Sequence, residues 1–262
     1  MLEIVILDFD GTLTDIDQEY QYISSSVRDD LSLHELQWET AADILKMFPD
    51  KRGLKLDGIV VAPPADNYLF AANVASLADP NLTDATITTS IMKSYRLPEI
   101  VFKPEAKDFL NGLISLGYGI YIVTNSSTNL VHSKLTEHMG ANLAELGVYV
   151  FGNAQKYLVS NFSGEMDIRE SAALEGLDRP AYLRRGKYLE ILNRIWAENA
   201  LDPTNSLVVG DVFELDLLLP AYLGSKVALL ESPRTFHYEK VATAKFKGNV
   251  VNSLMSVLAR IR

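Results

Sequence analysis

The sequence predicts an α/β protein, a doubly wound parallel sheet with an inserted helical lobe. Three observations carry this reading. From Pro98 to the C-terminus, short β-branched and aliphatic runs alternate with segments of helical period, the rhythm of βα units joined by right-handed crossovers. From about Asp17 to Pro98 strand signal nearly vanishes and helical period dominates. Three of the predicted strands also end in clusters of acids and hydroxyls, and in open α/β sheets ligands bind beyond the carboxyl ends of the strands.

The first strand, Leu2 to Leu7, is a β-branched and aliphatic run suited to burial on both faces. Helical segments follow at Glu19 to Met47, Ala65 to Leu77 and Thr83 to Tyr95. Breaks fall at Phe48-Pro49, Pro63-Pro64, Asp79-Pro80 and Leu97-Pro98, because proline cannot continue a helix. Residues 1–16 and 99–262 are therefore expected to form the core, and residues 17–98 the insert. Lys103-Pro104 opens a helix to Leu116 that Gly117 ends, and Tyr118 to Val123 is the next strand. A helix from Ser127 to Met139, a strand at Val148 to Phe151 and a helix from Gly186 to Asn199 continue the series. Strands at Ser206 to Val209 and Lys226 to Leu230 come next, and a helix from Val251 to Arg262 closes it. Residues 160–182 interrupt the rhythm with polar, turn-rich sequence expected to form a hairpin or flap.

Composition limits the function. The 262 residues are 48% hydrophobic and 22% charged, enough for a substantial core. A net charge of −10 argues against nucleic acid and anionic membrane as partners. Without cysteine the chain has no disulfide, thiolate nucleophile or thiolate metal site. No run approaches the roughly 18 apolar residues of a membrane span, and the start lacks the basic segment of a secretion signal, so a cytoplasmic protein is expected. His34, His132, His138 and His237 show no i,i+4 pairing suited to zinc, and neither a Walker A motif nor a GxSxG elbow occurs. Tyr20, Tyr22, Trp38, Tyr68 and Phe70 are expected to pack between insert helices, and Asp15 and Asp17 to cap the first of them.

The chemistry concentrates at three strand ends: Asp8-Phe9-Asp10-Gly11-Thr12, Thr124-Asn125-Ser126, and Gly210-Asp211 with Asp216 five residues on. Each has an ordinary alternative, since aspartates at strand ends also cap turns, and Thr124 alone reads as a cap for the helix near Ser127. Together they resemble the haloacid dehalogenase-like hydrolase superfamily. Its motifs are a strand ending in DxDGT, a strand ending in Ser or Thr, a basic residue, and a strand ending in GDxxxxD. The resemblance spans Asp8 to Asp216 and places helical sequence where members of that superfamily carry a mobile cap. It implies that Asp8 attacks phosphorus to form an aspartyl-phosphate, and that Asp10 protonates the leaving oxygen and then activates water. It further implies Mg²⁺ held by the Asp8 carboxylate, the Asp10 carbonyl and Asp211, with Asp216 orienting the metal waters or the basic residue. Thr12, Thr124 and Asn125 suit hydrogen bonding to the phosphoryl group.

Superfamily members place the basic residue, often as Lys-Pro, at the start of the helix before the GD strand. Here Arg185-Gly186 occupies the Lys-Pro place and Lys187 follows. Lys156, just beyond the strand ending at Phe151, lies at the same sheet edge. The two lysines stand level, Arg185 stands behind them, and a solvated surface cation is the ordinary fate of any one. The resemblance implies a Mg²⁺-dependent phosphomonoester hydrolase acting on a small phosphorylated metabolite. A phosphomutase, or a non-catalytic phosphate- and Mg²⁺-binding scaffold, fits the same motifs.

Overall fold

The structure, a computed structural model, describes residues 2–48, 55–56, 59–60, 65–94, 101–160 and 168–261. Strand β1 (Ile4–Leu7) leads into helices α1 (Ile16–Asp30) and α2 (Glu35–Met47), a short antiparallel pair β2 (Lys55–Leu56) and β3 (Ile59–Val60), and helices α3 (Asn67–Ala78) and α4 (Asp84–Ser94). Then come α5 (Ala106–Ser115), β4 (Gly119–Val123), α6 (Thr128–Met139), β5 (Val148–Phe151), the hairpin β6 (Ser171–Ala172) and β7 (Ala181–Tyr182), and α7 (Gly186–Glu198). The chain continues through β8 (Ser206–Gly210), α8 (Leu218–Tyr222), β9 (Lys226–Leu230), α9 (His237–Lys245), β10 (Asn249–Val251) and α10 (Leu254–Ile261).

Six strands form one parallel sheet in the order β10-β9-β8-β1-β4-β5. Because β1 is central, its side chains alternate between two covered faces. Val5 and Leu7 join the cluster with Phe109 and Leu113 of α5, Leu135 of α6 and Leu258 of α10. Ile4 and Ile6 join the opposite cluster with Tyr188, Leu192 and Trp196 of α7, and that cluster runs on into the insert through Ile23, Trp38 and Phe70. All four β1 side chains are buried, which explains its unbroken apolar run.

Between β1 and α5, helix α3 lies against α1, α2 and α4. Its apolar residues are buried around most of its circumference, including Phe70, Ala71, Val74 and Ala75, as a helix enclosed by others requires. Asp15 caps α1, its side chain accepting the Asp17 N–H. The segments leading into α1 and α5 pair: the Asp15 N–H donates to the Val101 carbonyl at 2.7 Å and the Lys103 N–H to the Leu13 carbonyl at 2.9 Å.

Two expectations need correction. The helix read from Glu19 to Met47 is two helices, because Ser32 turns into the left-handed region (φ 54°) and the Gln37 side chain receives the His34 N–H at the new start. The final helix read from Val251 begins at Leu254, and Val251 instead ends the edge strand β10. Helix α9 and the turn after Asp211 carry no clear period and were not expected. The breaks at Pro49, Pro63-Pro64 and Leu97-Pro98, and Tyr95, lie outside the described residues. No helix among the described residues is long and apolar enough to cross a membrane.

Candidate active site

The sheet order places the three strand ends side by side. In register, Leu7 pairs with Ile122 of β4 and Val209 of β8, so the residues just beyond these strands share one edge. The Asp8 N–H completes the ladder to the Val209 carbonyl at 2.9 Å, leaving its side chain at the tip. The chain then closes tightly. Phe9 is buried edge-on against Phe102, Gly11 takes φ 84°, and Thr14 Oγ1 accepts the Gly11 N–H at 2.9 Å. Asp8 and Asp10 therefore flank a buried anchor.

Lys156 reaches these carboxylates. Its Nζ donates to Asp8 Oδ1 at 2.6 Å and to Asp216 Oδ1 at 2.8 Å, and the side chain is 1% exposed. The loop that delivers it is strained and braced, with Asn153 and Gln155 at positive φ (53° and 48°). Its Asn153, Ala154 and Lys156 N–H groups donate to the Ser126 carbonyl, the Thr124 carbonyl and Asn125 Oδ1 at 2.8, 2.9 and 2.8 Å. Gly152 is required here, since a Cβ would stand 2.2 Å from the Thr128 nitrogen.

The β8 end supplies the remaining acids. Asp216 folds back through a π-helical turn, Phe213–Leu217, so that its Oδ2 accepts the Val212 N–H at 3.0 Å. A Cβ on Gly210 would stand 2.4 Å from the Asp216 Cβ, so the glycine makes room for that return. Carboxyl oxygens of Asp8, Asp211 and Asp216 lie within 4.8 Å of one another. Asp10 faces the β4 end, where Oδ2 accepts the Ser126 hydroxyl at 2.7 Å and the Thr124 hydroxyl at 3.2 Å.

No protein-family model matches this sequence, and no curated protein does. Solved structures do match over the whole chain. A predicted phosphoglycolate phosphatase from Haemophilus somnus 129pt is 17% identical with a TM-score of 0.58, covering 100% of this chain and 98% of its own. A haloacid dehalogenase-like family hydrolase from Streptococcus pneumoniae is 12% identical (TM-score 0.59, 100% and 99% covered). The putative HAD-hydrolase YfnB from Bacillus subtilis is 13% identical (TM-score 0.55, 100% and 99% covered). The fold is that of the haloacid dehalogenase-like hydrolases.

On this haloacid dehalogenase-like fold the sequence candidates separate. Asp8, Asp10, Thr124, Lys156, Asp211 and Asp216 come together, and Asn125 holds the Lys156 backbone through its side-chain oxygen. Thr12 is fully buried, and its hydroxyl has no hydrogen-bond partner among the described residues. Lys187 is not brought in. It lies on the solvent face of α7, half-exposed, 3.8 Å from Glu190, because Tyr188, Leu189 and Ile191 take the inward face. Arg185 is buried but serves the backbone, donating to the Tyr157 carbonyl at 2.8 Å and the Tyr182 carbonyl at 3.2 Å. It thereby steadies the chain just after Lys156.

Residues unassigned from sequence complete the site. Ser126 sat in the hydroxyl cluster without a role. Glu19 and Asp66 come from α1 and the start of α3 in the insert and carried no motif. Glu19 accepts hydrogen bonds from Asn67 Nδ2 and the Tyr68 hydroxyl at 3.1 and 3.2 Å. Burial, reinforced by the charge of Asp10, raises Glu19 to about 7, and burial raises Asp66 to about 6.

The charge balance bears on a metal. Burial pushes the Asp8 and Asp211 carboxyls well above their ordinary range, reinforced at Asp211 by the neighbouring charges of Asp216 and Asp8. Burial raises Asp10 as well. Burial alone would lower Lys156, but Asp216 and Asp8 overcome it and hold the ammonium above the usual lysine range. Lys156 thus meets two of the three clustered carboxylates, Asp8 and Asp216, and the charge of Lys103 acts on the third, Asp211. Their oxygen donors suit a hard cation that offsets the remaining charge. Asp216 already has both oxygens engaged, by Lys156 and the Val212 N–H, which leaves Asp8 and Asp211 as the side chains open to such an ion.

Proposed function

We propose that this protein is a Mg²⁺-dependent phosphomonoester hydrolase that acts on a small phosphorylated metabolite in the cytoplasm through an aspartyl-phosphate on Asp8. The observation that carries the reading is the pairing of two differently held aspartates: Asp8 against Lys156, and Asp10, two residues on, against two hydroxyls. The magnesium-bound structure of the matched YfnB and the phosphatase names among the matched structures support it.

An Asp8 carboxylate oxygen attacks phosphorus as the ester P–O bond breaks, and a protonated Asp10 gives its proton to the leaving alkoxide. Its raised pKa favours that protonated form. Ionised Asp10 then takes a proton from water, whose oxygen attacks phosphorus as the P–O bond to Asp8 breaks, which frees inorganic phosphate and returns Asp8 as a carboxylate. Lys156 orients Asp8 and opposes the effect of burial by favouring its ionised form, and Asp216 fixes Lys156. Mg²⁺, held by the Asp8 and Asp211 carboxylates and the Asp10 carbonyl, would supply positive charge to the phosphoryl oxygens. An acid at position 10 is what a phosphate ester requires and a carbon–halogen bond does not, since a halide leaves unprotonated. The helical insert, whose buried Glu19 and Asp66 feel the charge of Asp10, acts in this reading as a cap that selects the substrate.

A panel of phosphorylated metabolites, assayed for phosphate release with Mg²⁺ and with EDTA, tests the proposal. Metal-dependent release from at least one, with a phosphoryl mass increase on the peptide containing Asp8 after rapid quenching, is the expected result. Release that persists in EDTA, or in Asp8→Asn, overturns it, and phosphoryl transfer to a second substrate hydroxyl without free phosphate would make the protein a mutase.

A further inference from the structure

The chemistry above leaves Arg234 unused. It follows β9 in a loop at the carboxyl edge of the sheet, and that loop is folded by its own side chains. The Ser232 N–H donates to Thr235 Oγ1 at 2.8 Å and the Arg234 N–H to Ser232 Oγ at 3.2 Å. Glu239 ties the loop to the Asp211–Asp216 turn, its two carboxyl oxygens accepting the Phe236 and Phe213 N–H groups at 2.9 Å each. From this fixed base the Arg234 side chain, 10% exposed, crosses to the insert. A terminal guanidinium nitrogen lies 3.2 Å from Asp17 Oδ1, and Cζ lies 4.6 Å from the centre of the Tyr20 ring. Tyr20 in turn packs edge-on against Phe70 of α3 at 5.5 Å.

We propose that Arg234 is a positioning residue, a clasp by which the core grips α1 through Asp17 and Tyr20 and holds the helical insert closed over Asp8. A planar guanidinium can meet a carboxylate in its plane and a ring on its face at once, which a lysine ammonium cannot. The paired connectors at Asp15 and Lys103 restrain the insert at its root, and Arg234 extends that hold along the first turn of α1, at Asp17 and Tyr20. Because α1 also carries Glu19, the clasp sets where that carboxylate stands relative to Asp10. The catalytic consequence rests on the hydrolase reading; the structural one does not.

The chain has no cysteine, so labels on Leu36→Cys of α2 and Leu130→Cys of α6, both exposed, report the spacing of insert and core without background. In Mg²⁺ buffer, Arg234→Ala is expected to lengthen and broaden the spin-label distance distribution, with Arg234→Lys intermediate. Its kcat/KM on a bulky phosphomonoester from the panel falls about three- to tenfold, mostly through KM, while p-nitrophenyl phosphate stays within about twofold of wild type. Asp17→Asn combined with Arg234→Ala is no worse than Arg234→Ala alone. An unchanged distance distribution in Arg234→Ala overturns the clasp, and so does an equal loss on both substrates. Should wild type release phosphate from neither, the hydrolase reading fails and the distance measurement still decides the clasp.

Discussion

The loop after β5 and the first turn of α7 each carry a lysine that the sequence ranked alike, and they treat it in opposite ways. Lys156 is directed inward by a loop with two left-handed non-glycine residues and three backbone bonds to the Thr124–Ser126 segment, and it ends between Asp8 and Asp216. Lys187 sits on a regular amphipathic helix whose inward face is already filled by Tyr188, Leu189, Leu192 and Ile195, so it turns to solvent with Glu190. A regular helix fixes direction by its period, and an irregular loop can aim a side chain only when other bonds hold it. The cation at this site therefore comes from the braced loop.

Breaking the inward pair at its acid gives the largest effect. Asp8→Asn should bring phosphate release below detection, because an amide is a poor nucleophile and a weaker metal ligand; phosphate-release kinetics check this. Asp10→Asn should slow turnover by about 10²- to 10⁴-fold while leaving Mg²⁺ binding intact, since its backbone carbonyl remains; parallel kinetics and metal titration separate the two. Lys156→Met should slow turnover by about 10²- to 10³-fold. It should also destabilise the metal-free protein by about 3 kcal/mol at pH 8, and by less at pH 5, where the abandoned carboxylates take up protons. Denaturant melts at the two pH values measure that difference.

Glu19 sharpens the comparison from the insert side. Its folded pKa of about 7 lies above the ordinary glutamate value of 4.5, so folding favours the protonated form. The associated stability is fully present below about pH 4.5 and is lost as pH rises through 7. The melting temperature of Glu19→Gln relative to wild type should therefore climb between these pH values and level off above them. The smallest effect belongs to the outward lysine: Lys187→Ala should change kcat/KM by less than about twofold and stability by less than about 0.5 kcal/mol. A loss at Lys187 matching that at Lys156 would overturn the assignment of the two regions.

Much of the site was legible because its residues sit where local rules are strict. Gly210-Asp211 stands out as a motif at a strand end, and the helix read from Ser127 starts there, with Ser127 as the cap of α6. The β1 run was readable because a strand covered on both faces leaves no room for a polar side chain. Ser32 was not, since a serine in the left-handed region looks like any other serine within a helical period. Glu19 and Asp66 were not, because they share no strand end with the residues they face. Asp66 also has a local task, accepting the Leu69 N–H as the cap of α3, that accounts for it fully in sequence.

The sequence alone determined the parallel α/β core, the helix-rich stretch between the first two core strands and the three acidic or hydroxyl strand ends, because periodicity, proline breaks and motif spacing are local properties of the chain. Tertiary structure alone decided that Lys156 and not Lys187 meets Asp8, that Ser126 joins Thr124 on Asp10, and that Arg234 reaches α1. Each of those depends on loops whose direction is set by contacts between segments far apart in sequence, and no local period encodes that direction.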